Sequence, residues 1–283
     1  MYLAKSSGRN TIRFYDPDEF SVLSIRMNIE QGLNEALEKD QFNIYYQKQV
    51  DSSNNTFAAE ALLRWNHPEQ GLILPGGFIY VAEECGFITQ LDRWVLQNAC
   101  RKLKQWESEE STKHLSLSVN ISAHHFHNAD FLEFFNRLLD ETKINPAKLK
   151  LELTESTLLT DIGASIKKIN ELKNAGVTFS MDDFGTGYSS LSYLSKLPID
   201  QVKIDKSFMK NLNHNTKDDV IVETIISMAH SLGLDVIAEG VETKEQVIFL
   251  ENSGCSKFQG FYFAKPLPEN EFEKILKNQV LKS

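Results

Sequence analysis

"VTFSMDDFGTGYSS", running from Val177 to Ser190, alternates apolar and polar residues, sets two aspartates side by side, and then turns on glycines. Val177, Phe179 and Met181 share one face of a strand, and Thr178, Ser180 and Asp182 share the other. By strict alternation Asp183 belongs to the buried face with Met181. It can reach the side of Asp182 only if the strand stops there. Gly185 and Gly187 then let the chain turn sharply. Adjacent carboxylates repel each other unless a cation stands between them.

The same phase recurs along the chain. In "LSLSVNIS" (115–122), Leu115, Leu117, Val119 and Ile121 face one side, and Ser116, Ser118 and Asn120 the other. In "KLKLELTES" (148–156), Leu149, Leu151 and Leu153 alternate with Lys150, Glu152 and Thr154. In "QVKID" (201–205), Val202 and Ile204 flank Lys203. Further strand-like runs are "FNIYYQKQV" (42–50), "FAAEALLRW" (57–65), "DVIAEGV" (235–241) and "KFQGFYF" (257–263). From the second run on, most are followed by a segment of 3.6-residue apolar period, such as "QLDRWVLQNACRKLKQW". Eight strands with interleaved helices predict an α/β fold, a TIM-like (β/α)8 barrel. The first two runs are close enough in sequence to form a hairpin, which breaks a strict eightfold pattern. Residues 16–41 read as one amphipathic helix that connects residues 1–15 to the barrel.

The length of 283 residues suits one such barrel, which typically needs about 250. A net charge of -9 argues against broad binding to duplex nucleic acid, which needs a basic face. It permits a small anionic ligand in one pocket, especially where metal ions supply positive charge. Cys85, Cys100 and Cys255 are odd in number and lack metal-type spacing, so they read as free thiols in a reducing, cytoplasmic setting. This stretch carries no signal-peptide pattern and no apolar run of membrane-spanning length, although a parent protein could still be membrane-anchored.

In a barrel the apolar phase packs under the helices and the other phase points inward. Asn120, Glu152, Asp182 and Lys203 then converge at the C-terminal ends of their strands, where barrel active sites form. Glu60 and Glu239 hold equivalent places, and Gln259 lies on the last strand. Glu60, Glu152, Asp182, Asp183 and Glu239 with the Asn120 amide oxygen form an all-oxygen set, which suits Mg²⁺ or Mn²⁺ rather than Zn²⁺. More than four ligands suggest two ions bridged by one aspartate, ~3.5–4 Å apart, the arrangement of metal-assisted phosphodiester hydrolysis. Lys203 could orient the attacking water or neutralise developing charge.

The motifs "EALLRW" (60–65), "VNIS" (119–122), "LELTES" (151–156), "MDDFGTGYSSLSYL" (181–194), "KIDKSF" (203–208), "AEGVET" (238–243) and "QGFYFAKPL" (259–267) closely resemble the EAL family of cyclic-di-GMP phosphodiesterases. The resemblance implies a barrel with one reversed strand, hydrolysis of cyclic-di-GMP to linear pGpG, and two Mg²⁺ or Mn²⁺ ions. By motif position, Glu60, Asn120, Glu152 and Asp182 would hold one ion. Asp182 and Asp183 would hold the second, with Glu239 assisting through water. Glu60, Lys203 and Glu239 would be catalytic. Gln47, Leu63, Arg64, Asn120, Lys203, Asp205, Glu242 and Gln259 would meet the substrate, Arg64 at a phosphate and Glu242 at a guanine edge. Glu155 would anchor the loop that includes Phe184, Gly185, Thr186 and Gly187, which the family uses in a homodimer. Tyr46-Gln47-Lys48 departs from the family's usual Tyr-Gln-Pro, and Gly76 and Gly77 stand where bulkier residues are common. The family also includes domains that bind cyclic-di-GMP without hydrolysing it, usually with losses in the ligand set; no loss occurs here.

"MYLAKSSGRNTIRFYDP" (1–17) resembles the last helix and strand of a GGDEF diguanylate cyclase domain. That implies a tandem parent protein with an upstream GGDEF or sensor domain: residues 1–15 as its tail, 16–41 as a linker helix and 42–283 as the EAL barrel. "DFG" at 183–185 lacks the companion motifs of a protein kinase, and "GTGYSS" lacks the lysine of a P-loop. His124, His125 and His127 read as a solvated face.

Overall fold

The computed structural model describes residues 17–185, 191–212 and 217–280. Contacts divide the chain into two units, Asn43–Arg64 with Ile88–Ser283, and Met1–Phe42 with Trp65–Phe87.

The larger unit is a closed barrel. Its strands are β1 (Phe42–Asp51), β2 (Thr56–His67), β4 (Ser116–Asn120), β5 (Leu149–Thr154), β6 (Thr178–Phe184), β7 (Gln201–Ile204), β8 (Asp235–Ala238) and β9 (Lys257–Phe258); β3 (Gly71–Ile73) belongs to the other unit. They follow one another in the order β1-β9-β8-β7-β6-β5-β4-β2, and pairing of β1 with β2 closes the ring. The pairs from β2 through β9 are parallel, whereas β1 lies antiparallel to β9. The reversal follows from chain length. Only residues 52–55 join β1 to β2, and a parallel crossover needs a dozen residues or more. Asp51 organises the turn by accepting from the backbone N–H of Ser53 at 2.9 Å and of Asn55 at 2.8 Å, with Asn54 left-handed at φ 62.

The apolar strand phase packs as the alternation predicts. Leu149, Leu151 and Leu153 of β5 are all buried, each stabilising the fold by about 1.5–3 kcal/mol. The helix Ile88–Trp106 buries Leu91, Val95, Leu96, Ala99, Leu103 and Trp106, a stripe at three- and four-residue spacing. Two details differ from the sequence reading. The run at 257–263 is a strand only over Lys257–Phe258, because the chain then bends to follow Val241, whose carbonyl accepts from Tyr262 N at 3.0 Å. A two-residue strand, β10 (Leu267–Pro268), pairs antiparallel with Tyr45 and Tyr46 of β1.

In the smaller unit the helix Pro17–Glu38 buries Leu33 and Ala36. The end of β2 pairs with β3 (Gly71–Ile73), Trp65 opposite Ile73. The Trp65 ring lies 5.7 Å from Phe42 and 5.6 Å from Phe78, and its indole N–H donates to Gln41 Oε1 at 3.0 Å. Residues 1–15, read as an upstream tail, lie outside the described residues. Among the described residues, no helix is long and apolar enough to cross a membrane.

Candidate active site

Lys203 stands at the centre of the inward-facing cluster and is 1% exposed. Its Nζ lies 2.5 Å from Glu152 Oε2, 2.6 Å from Glu239 Oε1, 3.3 Å from Asp182 Oδ1 and 3.7 Å from Glu60 Oε1. These residues come from β2, β5, β6, β7 and the turn after β8; Glu152, Asp182, Lys203 and Glu239 stand at or near the C-terminal ends of their strands, and Glu60 lies within the longer β2. Burial disfavours the charged lysine, but the carboxylates of Glu152, Glu239, Glu60 and Asp182 outweigh it and raise its pKa well above the usual value. Burial pushes the Glu152 carboxyl up to about 8, aided by Glu60 and Asp182 and opposed by Lys203. Burial likewise raises Glu239. For Glu60 burial is outweighed by Lys203, Gln259 and Asn120, and its carboxyl stays below the ordinary range.

The two aspartates reach one cavity by a route other than the predicted end of the strand. β6 continues to Phe184, and the register against β7 slips between Met181, opposite Val202, and Phe184, opposite Ile204. Asp182 and Asp183 together therefore face the single residue Lys203, a β-bulge with Asp183 left-handed at φ 54. The extra residue resets the alternation, so Phe184 returns to the core at 4% exposed. Gly185 follows at φ 94, a conformation that suits glycine. Asp183 N donates to Asp182 Oδ1 at 2.9 Å, and burial with the charges of Asp182 and Asp205 raises the Asp183 pKa.

Amide side chains brace the carboxylates from the other side. Asn120 Nδ2 donates to Glu60 Oε1 at 2.7 Å. In this arrangement the nitrogen of Asn120, not the oxygen expected to face the cluster, meets Glu60. Gln259 Nε2 donates to Glu60 Oε2 and, at 3.1 Å, to Gln47 Oε1. Gln47 Nε2 donates to the Ala264 carbonyl at 3.0 Å. The Gln259 backbone is tied to Ala238 and Val241, a close approach that Gly260 permits, since an added Cβ there would stand 2.0 Å from the Val241 carbonyl oxygen.

Above the carboxylates opens a cavity of about 530 Å³. Gln47, Glu60, Asp182, Asp183, Glu239 and Gln259 form part of its lining, with Asp205 and Glu242. Glu152 and Lys203 are buried and do not line it. Leu62 lines it rather than Leu63, which is buried on the opposite pleat face. Arg64 is also absent from the wall. It is buried, its Nη1 donates to the Leu63 carbonyl at 2.8 Å, and its guanidinium lies over the Tyr45 ring at 5.5 Å. Asp205 caps the short 3-10 helix Lys206–Asn211 by accepting from Ser207 N at 2.9 Å. Residues the sequence reading did not single out complete the wall: Lys206, Met209, Lys210, Gln246 and Phe261. Gln246 ties the wall together, donating to the Met209 carbonyl at 2.8 Å from its place in a capping box with Thr243. That box, "TKEQ", was a readable signal.

Glu155 is buried at the start of the helix Glu155–Thr160. Thr186 and Gly187, the loop it was expected to anchor, lie outside the described residues. The histidine cluster is not the solvated face expected. His125 is fully buried against Phe131 at 4.8 Å, and His127 Nε2 meets the Thr157 carbonyl at 3.0 Å, while His124 is exposed. Lys48, at the departure from the family pattern, is buried.

The donor chemistry fits hard divalent cations. Glu60, Glu152, Asp182, Asp183 and Glu239 outnumber the one ammonium among them, and two divalent ions would balance the excess. Buried Glu152 Oε1 has no hydrogen-bond partner among the described residues. The spacing is that of carboxylates closed on Lys203, and among the described residues no three His, Cys, Asp or Glu side chains stand in a metal-holding arrangement.

Comparison with known proteins gives this site its context. MucR of Pseudomonas aeruginosa, a bifunctional diguanylate cyclase/cyclic di-GMP phosphodiesterase, is 39% identical over 272 residues, 96% of this chain and 40% of MucR. NbdA of the same organism, a cyclic di-GMP phosphodiesterase, is 37% identical over 98% of this chain and 35% of its own length. The chain thus spans about two fifths or less of these relatives. The solved PaMucR phosphodiesterase in complex with c-di-GMP superposes with a TM-score of 0.84 at 40% identity, covering 87% of this chain and 99% of that one. The EAL domain protein from Listeria monocytogenes gives 0.75 at 33% identity, over 85% of this chain and 94% of that one. The family profile described as EAL domain matches residues 30–266. The chain belongs to the EAL-domain family.

Proposed function

We propose that this chain hydrolyses cyclic-di-GMP to linear pGpG with two Mg²⁺ or Mn²⁺ ions. The observation that carries the reading is the convergence of four carboxylates on buried Lys203, with Asp183 beside them, at the floor of an open cavity. The substrate assignment draws support from MucR and NbdA, whose names give that activity, and from the PaMucR complex.

Glu60, Glu152, Asp182, Asp183 and Glu239 would hold the ions, with Asn120 joining if its amide turns its oxygen toward them. When bound, the ions would stabilise charge on the phosphate oxygens and make water a stronger nucleophile at neutral pH. Lys203, fixed by its ion pairs to Glu152 and Glu239, would keep a positive charge beside the attacking water. Glu60 would stay ionised under its amide donors. Glu242 on the cavity wall would accept from a guanine edge, and Lys206 and Lys210 would meet phosphate. Arg64 would need to leave Tyr45 to do so.

Incubation of the chain with cyclic-di-GMP and Mg²⁺ or Mn²⁺ should yield linear product by chromatography, and EDTA should abolish it. Tight binding without product would assign the chain to the non-catalytic receptors instead. The resemblance also supports a homodimer built through the loop after Asp183, for which sedimentation velocity should give the mass of two chains; a monomer at all concentrations would exclude it. A cytoplasmic setting, residues 1–15 as the tail of an upstream GGDEF domain, and a linker role for the helix that follows belong to the same proposal.

A further inference from the structure

We infer that Gln49 is a positioning residue for Glu60: by donating to the Gln259 oxygen it holds that amide in place with its nitrogen end against the carboxylate. This deepens the proposed two-ion reading and rests on it. Gln49 lies on β1 in the same pleat phase as Gln47 and is 0% exposed. Its Nε2 donates to Gln259 Oε1 at 2.8 Å. Its own Oε1 has no hydrogen-bond partner among the described residues, so the bond to Gln259 is what orients it.

The polarity of this chain of amides is set by groups that can only accept. A carboxylate and a backbone carbonyl have no proton to give. Glu60 therefore requires the nitrogen end of Gln259, and the Ala264 carbonyl requires the nitrogen end of Gln47. Gln47 then offers its oxygen to the same Gln259 nitrogen. The oxygen of Gln259 is left pointing into the barrel, where Gln49 is its donor. With Gln259 turned over, its oxygen would face the Glu60 carboxylate and the Gln47 oxygen, acceptor against acceptor at both contacts. Gln49 would then point a donor at a donor. Partners at this remove from a metal typically change its affinity by about 10–100-fold when lost.

The test uses the whole chain, Mn²⁺ as the probe and titration calorimetry, at about pH 6 and about pH 9, on either side of the range in which a buried carboxyl titrates. Gln49→Met keeps the length and removes the donor. It should weaken Mn²⁺ binding by about tenfold at both pH values. Gln49→Glu is informative through its pH profile. Below its pKa the introduced carboxyl is neutral and can donate to Gln259 Oε1, so binding should stay within about threefold of the wild-type chain. Above it the carboxylate repels that oxygen, and binding should fall by about tenfold or more. Wild type and Gln49→Met, measured in parallel, remove any pH dependence that belongs to the ligands themselves. Folded variants that bind Mn²⁺ like the wild type at both pH values would overturn the proposal. So would equal losses at both pH values in Gln49→Glu accompanied by a lowered Tm, the signature of packing alone. A wild-type chain that binds no Mn²⁺ would overturn the two-ion reading and this inference together, whereas normal wild-type binding with unaffected variants removes Gln49 only.

Discussion

Replacing Lys203 by alanine is expected to cut cyclic-di-GMP turnover by at least ~10²-fold while Mn²⁺ still binds. The ammonium holds Glu152 at 2.5 Å and Glu239 at 2.6 Å and lies within 4 Å of Asp182 and Glu60. In the proposed reaction it is the positive charge that the protein itself supplies among these carboxylates. Its removal also has a structural signature. Without metal, four carboxylates would share the barrel mouth with no cation between them, and breaking buried pairs of this kind costs about 3–5 kcal/mol. Divalent ions would then become the main positive charge among these buried carboxylates, since Lys206 and Lys210 stand on the cavity wall. The rise in Tm on adding Mn²⁺ should therefore be larger for Lys203→Ala than for the wild-type chain. Near-normal turnover would sink the assigned role. A metal-induced stabilisation equal to that of the wild type would argue that the cluster does not take up ions.

Glu60→Gln is expected to lower turnover by ~10²–10³-fold and Mn²⁺ affinity by at least about tenfold, with a much smaller change in Tm. Both oxygens of Glu60 accept hydrogen bonds, one from Asn120 and one from Gln259. A glutamine of nearly the same shape has only one oxygen. Its amino group must then face the N–H of Asn120 or of Gln259, which leaves a buried donor unpaired or turns one neighbouring amide over. The substitution also removes one negative charge from the set that would hold the ions. Calorimetry separates the two consequences from folding, and chromatography of the product reads turnover. A Glu60→Gln protein that keeps both would show that Glu60 is not part of the reacting centre.

The barrel was legible because apolar alternation specifies which face of each strand is buried, and the floor of the site because it lies at strand ends in the same phase. Glu152 and Lys203 could be placed inward from their neighbours alone. The same phase count starting at Glu60 puts Leu62 inward, so the structure's choice of Leu62 over Leu63 was available in the sequence. Asp183 was not, since a bulge adds a residue without changing composition and alternation then fails by one position. The direction of an amide leaves no trace in sequence, and so the Asn120 nitrogen facing Glu60 could not be foreseen. Lys206, Lys210 and Phe261 reach the wall from a short 3-10 helix and an irregular segment, where no long periodicity assigns a face.

The reversed first strand has a consequence for how the chain acquires its chemistry. β1 can pair with β2 as soon as both exist, but its other edge waits for Lys257 and Phe258. The contacts that span this last seam include Gln47 to Ala264, Gln49 to Gln259, Gln259 to Gln47 and Gln259 to Glu60, joining residues 199 to 217 positions apart. Pairings so distant in sequence carry the largest loop-closure entropy and form late. A nascent chain that has placed six of its parallel strands therefore has its lysine and most of its carboxylates in reach of one another, yet has none of the amides that orient Glu60 from the β9 side. Barrel closure and completion of the carboxylate floor are a single folding event.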